Sequence, residues 1–328
     1  MEKLIIVNIA AALAHGLLAL FLAIYPALFR EVNNPPLLLT RYKNDTTQAR
    51  DANCSQWPSL QLIESTGVFP VFWLLFIIEL VTFAAHVGYA SSGAAYLDMV
   101  RAGTNAFRWV EYGVTAALIG GVLANLAGIR DVYTLVIIIF AVFSWMQHGY
   151  AIESAIRRNE VGFFGVGMPL IVGFALLVAI FVPIADMYTA NLDTVDRVID
   201  YCDSDSKSHN FDSFPRNLND LIWITFAFYG SFGLVALAYV VDAALNGAAA
   251  ARSRFGAYEV AYIALSFVSK VILVLWALIS VFAEDGALAW LFSCPFGSTT
   301  CTPCRYTSSL DGSTCRPPCK GDAYCAST

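Results

Sequence analysis

The stretch Tyr262-Ile263-Ala264-Leu265-Ser266-Phe267-Val268-Ser269-Lys270-Val271-Ile272-Leu273 sets a single amine in the middle of an apolar run that extends over residues 257–283. A helix needs about 20 mainly apolar residues to cross the hydrocarbon core, because each backbone N–H and C=O must be satisfied inside the segment. The window is therefore read as a membrane span. Lys270 stands too far from either end for its amine to snorkel to water. An ionisable group at that depth costs about 3 kcal/mol or more unless it is paired or hydrated, which makes it a functional-site candidate by default. Two readings follow from the residue alone. It is one half of a salt bridge between helices, or it is a nucleophile, since a lysine that sheds its proton in apolar surroundings condenses with an aldehyde.

Six further windows lie upstream, at residues 4–29, 68–90, 96–125, 132–153, 161–187 and 218–245. The third carries Arg101, Asn105, Arg108 and Glu111 in its first half and is read as one long helix. Seven spans make an all-α, seven-transmembrane helix bundle. Composition agrees, with 58% hydrophobic and 13% charged residues, against roughly 25% charged in an average soluble domain. A net charge of −6 provides no basic face for nucleic acid, and high hydrophobicity excludes disorder over most of the length. The first window is too long for the h-region of a cleavable signal and lacks its basic start. Residues 1–290 form the membrane domain, with outer loops at 30–67 and 188–216, and 291–328 form a Cys-rich tail. Short strands in the first loop are consistent with its sequence.

The eight cysteines, Cys54, Cys202, Cys294, Cys301, Cys304, Cys315, Cys319 and Cys325, all fall on one side of a seven-span chain. An even number confined to one face fits disulfides in an oxidising compartment, so that face is extracellular or lumenal and the N-terminus is cytoplasmic. The C-terminus is then extracellular or lumenal. Two short sequons, at Asn44 and Asn53, share that face. Among the short loops, the inner ones hold Arg157, Arg158, Arg252 and Arg254, while the outer one has Arg130 beside Asp131. The alternative for Cys301-x-x-Cys304 with Cys315-x-x-x-Cys319 is a zinc knuckle on an inward tail. Within the spans no His and Cys stand at metal-ligand spacing, so no membrane metal site is expected.

Other polar groups also occupy the spans. Arg108 and Glu111 lie three apart on the third, with Thr115 one turn beyond, so one carboxylate is available to balance one buried cation. Glu79, Thr82 and His86 make a polar stripe on the second span; His15 stands among Ala and Leu on the first, and Gln147 and His148 follow Trp145 on the fourth. Aromatic residues fill the third to sixth spans: Trp109, Tyr112, Trp145, Phe163, Phe164, Phe226, Phe228, Tyr229 and Phe232, with Met146 and Met168. Singly these are packing or lipid-facing residues; together they can box a flat polyene.

Lys270 on the seventh span and Arg-x-x-Glu on the third resemble the microbial-type rhodopsins. His15, His86, Arg108-Trp109-Val110-Glu111-Tyr112, His148-Gly149-Tyr150 with Glu153, and Ser266-Phe267-Val268-Ser269-Lys270 narrow the resemblance to the heliorhodopsins. That family is inverted, with a cytoplasmic N-terminus, as the cysteines already indicated. The resemblance implies all-trans retinal bound covalently to Lys270 as a protonated Schiff base, with Glu111 as counterion and Ser266 and Thr82 as hydrogen-bonding neighbours. It implies a chromophore pocket drawn from Trp109, Tyr112, Thr115, Met146, Gln147, Phe228 and Phe232. His15 and His86 would line a polar, watered cavity with Arg108 and Glu79 as further polar members, although Glu79 has no place in the family pattern. The Cys-rich tail departs from that pattern as well.

Outward proton pumps of the wider rhodopsin group have a carboxylate one turn before the retinal lysine and a carboxylate donor three turns after the counterion. Ser266 and Val122 stand there instead. The expectation is a non-pumping photoreceptor rather than an enzyme, an integral multi-pass protein whose partners are the lipid bilayer, a second copy by family analogy, and an unidentified signalling protein. The alternatives are light-gated proton or ion transport through Glu79, His86 and Glu111, and a retinal-free receptor or scaffold using the cross-linked tail.

Overall fold

The computed structural model of the chain describes residues 2–28, 36–42, 60–68, 70–202 and 213–277. In chain order the elements are α1 (Glu2–Leu28), β1 (Pro36–Tyr42), β2 (Leu60–Val68), α2 (Val71–Ser92), α3 (Ala94–Arg101), α4 (Ala106–Leu126), α5 (Val132–Arg157), a π-helical turn (Phe163–Gly167), α6 (Met168–Cys202), α7 (Ser213–Asn246), α8 (Ala248–Ser253) and α9 (Phe255–Ala277). Among the described residues seven of these helices, α1, α2, α4, α5, α6, α7 and α9, are long and apolar enough to cross a membrane. The spans pack as sequence neighbours, and α9 closes the ring against α1.

The helix α4 holds the central place. In its span 83% of the most apolar window is buried inside the protein, against 28–39% for the other six. Its sequence explains this, since Gly113, Ala116, Ala117, Gly120, Gly121 and Ala124 let neighbouring backbones come close. The other spans present Leu13, Leu17, Ile137, Phe140, Val182 or Leu234 outward, as lipid-facing helices do where water gives no incentive to hide apolar side chains.

The third window is not one helix. The chain stops at Arg101 and restarts at Ala106, so α3 and α4 are separate. Gly103 takes φ +77°, a left-handed conformation that closes a helix at low steric cost. Asn105 then caps α4, its side-chain oxygen accepting the Arg108 N–H at 3.2 Å. Arg101 consequently lies outside the span, exposed and paired with Asp98 at 2.6 Å.

The region 188–216 is also more helical than a loop, because α6 runs on to Cys202 and α7 begins at Ser213. Asp193, Asp196 and Asp200 recur at three and four residues along that extension, which is helical spacing. In the first long loop β1 and β2 form an antiparallel hairpin, with register shifts after Leu37 and Leu39, and β1 lies close to α5. Cys202 ends α6; Cys54, Cys294, Cys301, Cys304, Cys315, Cys319 and Cys325 lie outside the described residues, as does the tail.

Candidate functional site

Along α9, Glu259, Tyr262, Ser266 and Lys270 recur at intervals of three, four and four, which sets them on one helix face. All four are buried. This face turns towards α4 and α2, and it carries two separate charge clusters.

The first lies around Lys270. Its Nζ donates to Thr82 Oγ1 at 2.8 Å and to Glu111 Oε1. Thr82 also reaches Glu111 Oε1 at 3.0 Å and the Ile78 carbonyl at 2.9 Å. Thr115 donates to the Glu111 backbone carbonyl at 3.0 Å and lies 3.3 Å from Oε1. One carboxylate therefore faces one cation, with two hydroxyls fixing its geometry. Glu111 Oε2 has no protein partner. The Tyr112 ring stands 5.3 Å from Nζ, and its hydroxyl is anchored to the Tyr262 carbonyl at 2.9 Å.

The second cluster is at the end of the bundle where α1 begins. Arg108 pairs through Nη2 with Glu153 Oε1 and through Nη1 with Glu259 Oε2, all three side chains being 1% exposed. Asn105 donates its backbone N–H to Glu153 Oε2 at 3.0 Å and its amide to Glu259 Oε1 at 2.8 Å; Tyr96 adds a hydroxyl to Glu259 at 3.1 Å. The guanidinium also lies 4.2 Å from the Tyr262 ring centroid and 5.1 Å from that of Trp109, a range in which cation–π attraction contributes. Arg108 thus turns away from Glu111, which leaves that carboxylate to Lys270.

Between α1 and α2 lies a third group. His15 Nδ1 and Glu79 Oε2 are 2.6 Å apart, both fully buried, and the His15 ring stacks on His86 at 5.8 Å and 4°. His86 Nδ1 meets Asn8 Oδ1 at 2.7 Å. His15 Nε2, Glu79 Oε1 and His86 Nε2 are buried without protein partners. Three such atoms in one paired and stacked group fit a site that ordered water completes. Arg108, grouped with these residues on sequence grounds, is not among them; hydrogen bonds link it to them through Glu259, Tyr96 and Asn8.

The aromatic residues divide. Trp109, Tyr112, Phe232 and Tyr262 contact one another at centroid distances of 5.3–6.2 Å. Trp109, Met146 and Phe232 also border a narrow cleft between α5, α6 and α7, where Gly149 and Phe174 are among the lining residues. Gln147 sits on α5 with its amide on the Trp109 carbonyl at 3.0 Å. Phe228 is set apart, lining a smaller space with Thr225, Tyr229 and Ser269. Phe163, Phe164 and Met168 are exposed and box nothing.

Asn8, Tyr96 and Glu259 were not singled out from the sequence, and Asn105 was noted only as one of the polar residues in the third window. Glu259 had a signal, an acid inside an apolar window at three helical turns from Lys270. Asn8 and Tyr96 had none, because neither is charged and their partners are distant in sequence.

A heliorhodopsin family profile matches residues 4–199, more than half of the chain, and a search of curated proteins returned no match. The matched stretch carries His15, Glu79, Thr82, His86, Arg108, Glu111 and Glu153. Glu259, Ser266 and Lys270 lie beyond it on α9, and folding brings Lys270 onto Thr82 and Glu111 and Glu259 onto Arg108. This chain belongs to the heliorhodopsin family, light-sensing rhodopsins whose chromophore is retinal.

Proposed function

We propose that the protein is a light-activated receptor with all-trans retinal joined to Lys270 as a protonated Schiff base and Glu111 as its counterion. The observation that carries this is the buried Lys270 amine on Glu111 and Thr82. The donor set suits retinal: an amine able to condense with an aldehyde, a carboxylate to balance the resulting cation, and an aromatic surround of Trp109, Tyr112, Phe232 and Tyr262 for the polyene. Retinal, when bound, supplies visible absorption and isomerisation about a double bond.

The chain's own residues supply the rest. Glu111 holds the positive charge on the lysine nitrogen, since an anion in a low-dielectric site stabilises a nearby cation strongly. Thr82 accepts from the nitrogen and donates to the carboxylate, so a change in the direction of the N–H is felt at both residues. Thr115 keeps Glu111 in place. Ser266 and Val122 occupy the positions where outward pumps carry carboxylates, and both are buried. A hydroxyl and an isopropyl group offer no proton acceptor and donor pair, which favours a receptor that passes its state on through helix shifts. The N-terminus is assigned to the cytoplasm, on the cysteine distribution.

A second reading, light-gated proton transport, draws on the unpartnered atoms of His15, Glu79 and His86 beside Thr82. The experiment that tests the main reading is an absorption spectrum after adding all-trans retinal, followed by hydroxylamine in the light. A visible band that bleaches to the oxime supports it; no band overturns it. Light-evoked current measured across a voltage range decides between receptor and transporter.

A further inference from the structure

A directed hydrogen-bond chain links the His15–Glu79–His86 group to the Arg108 cluster, and its middle member is an amide. Asn8 Nδ2 donates to the Leu4 carbonyl at 2.8 Å and to Tyr96 OH at 3.2 Å. A carbonyl oxygen only accepts, so the Leu4 contact fixes which end of the Asn8 amide is nitrogen. Asn8 Oδ1 therefore faces His86 Nδ1 at 2.7 Å and can only accept from it. This sets His86 as the Nδ1–H tautomer, with its unpartnered Nε2 on the other side of the ring. Tyr96 in turn donates to Glu259 Oε1 at 3.1 Å.

All four groups are buried, Asn8 fully so. Read from His86 to Glu259, each donates to the next. Such a chain transmits protons only if every member can accept one proton and release another. Imidazole and carboxyl groups do this through two atoms, and a phenol through its one oxygen. A carboxamide does not: a proton taken on Oδ1 would have to leave from Nδ2, through an imidic acid form that ordinary amides avoid. Beside Asn8 the Tyr89 ring packs 5.9 Å from His86 and 5.2 Å from Tyr96, and its hydroxyl, which has no hydrogen-bond partner among the described residues, provides no hydrogen-bonded path around the amide.

We propose that Asn8 is a proton insulator: pinned by the Leu4 carbonyl, it couples His86 to the Tyr96–Glu259 end of the bundle by hydrogen bonds while barring proton passage between them. It is a positioning residue for the light reaction, separating the unpartnered histidine and Glu79 atoms from the Arg108 cluster. The light-driven part of its test rests on the retinal reading; the tautomer part does not.

Two measurements test it. In retinal-free protein labelled with ¹⁵N-histidine, only His15, His86, His148 and His209 contribute signals, and loss of one in His86→Gln assigns His86. The expected result is an Nδ1–H tautomer that is lost in Asn8→Leu; an Nε2–H tautomer or an imidazolium in the parent overturns the geometry. In retinal-loaded protein a pH-indicating dye then follows proton exchange with the medium after a flash. Asn8→Asp replaces the amide by a group that can pass a proton, so its transient exceeds the parent's, and Tyr96→Phe added to it removes the gain. A coloured, folded Asn8→Asp protein exchanging no more than the parent overturns the insulator, as does a gain that survives Tyr96→Phe. Absence of a visible band in the parent refutes the retinal reading instead, and leaves the tautomer result to decide the arrangement around Asn8.

Discussion

At the end of the bundle where α1 begins, one cation meets two carboxylates, Asn105 and Tyr96 donate to the carboxylate oxygens as well, and the atoms of these ions left without a hydrogen bond are Arg108 Nε and the Arg108 Nη1 and Glu259 Oε2 that face each other as an ion pair. Around Lys270 one cation meets one carboxylate, Glu111 Oε2 is left without a partner, and the histidine group nearby leaves three more polar atoms without one. Both clusters are buried, so the difference is not one of access to water. Donors packed around both carboxylates of an ion cluster hold one arrangement, and that suits a fixed brace between α4, α5 and α9. A cluster whose unused acceptors face no cation can exchange partners at small cost, which is what a site that must respond to an event at its cation requires.

The largest expected effect separates the clusters by colour. Lys270→Ala removes the amine that meets Glu111, so visible absorption after adding retinal should vanish entirely, whereas variants of the Arg108 cluster that fold should keep a band. Colour that survives in Lys270→Ala would sink the attachment site.

Stability should sort them the other way. Arg108→Gln leaves Glu153 and Glu259 buried without their cation, and removing one partner of a buried ion pair costs about 3–5 kcal/mol. Detergent-solubilised protein should show this as a large fall in unfolding midpoint. Glu259→Gln leaves Arg108 and Glu153 as a one-to-one pair and should cost less. An equal loss from both variants would mean that the second carboxylate is as necessary as the arginine, and the picture of a brace with an excess acid would fail.

Next in size is Glu111→Gln, a spectral effect. Without the negative charge the protonated form loses its balancing anion, so the band should move to longer wavelength or give way to a near-ultraviolet form as pH is raised. The sign follows from the charge: protonation of the imine then survives only at lower pH. An unchanged spectrum throughout a titration would remove Glu111 from the counterion role and leave the two clusters alike in having no spectral anion.

What the sequence revealed follows the same division. Seven apolar windows and a mid-span lysine declare themselves because the bilayer tolerates few exceptions, and Glu111 follows from the need to balance Lys270. The helix break before α4 was written in Gly103 and Asn105, but the apolar pattern running through residues 96–125 outweighed it. Glu79 was visible as a buried acid, yet its partner His15 lies 64 positions away, and no periodicity on one helix shows what a second helix brings. Asn8 and Tyr96 were illegible for that reason. Their meaning arises only when α1, α2, α3 and α9 meet.

Trp109 meets the Arg108 guanidinium on one side and, on the other, the Tyr112 ring that faces Lys270, and it offers the smallest and sharpest test. Its ring lies 5.1 Å from the Arg108 guanidinium and 5.3 Å from the Tyr262 ring, and it borders the cleft with Met146 and Phe232. The ring rests directly on Gly149 of α5: a Cβ there would stand 2.0–2.4 Å from its six-membered edge. No side chain fits without moving the indole, and Trp109 is itself buried against its neighbours. Gly149→Ala should therefore destabilise the protein by about 1–3 kcal/mol, the usual cost of overpacking a core, and should shift the visible band as the ring is pushed along the cleft. If stability falls and colour holds, Trp109 belongs to the brace alone. If colour shifts at nearly constant stability, the ring belongs to the responsive site, and the two clusters are mechanically joined through it.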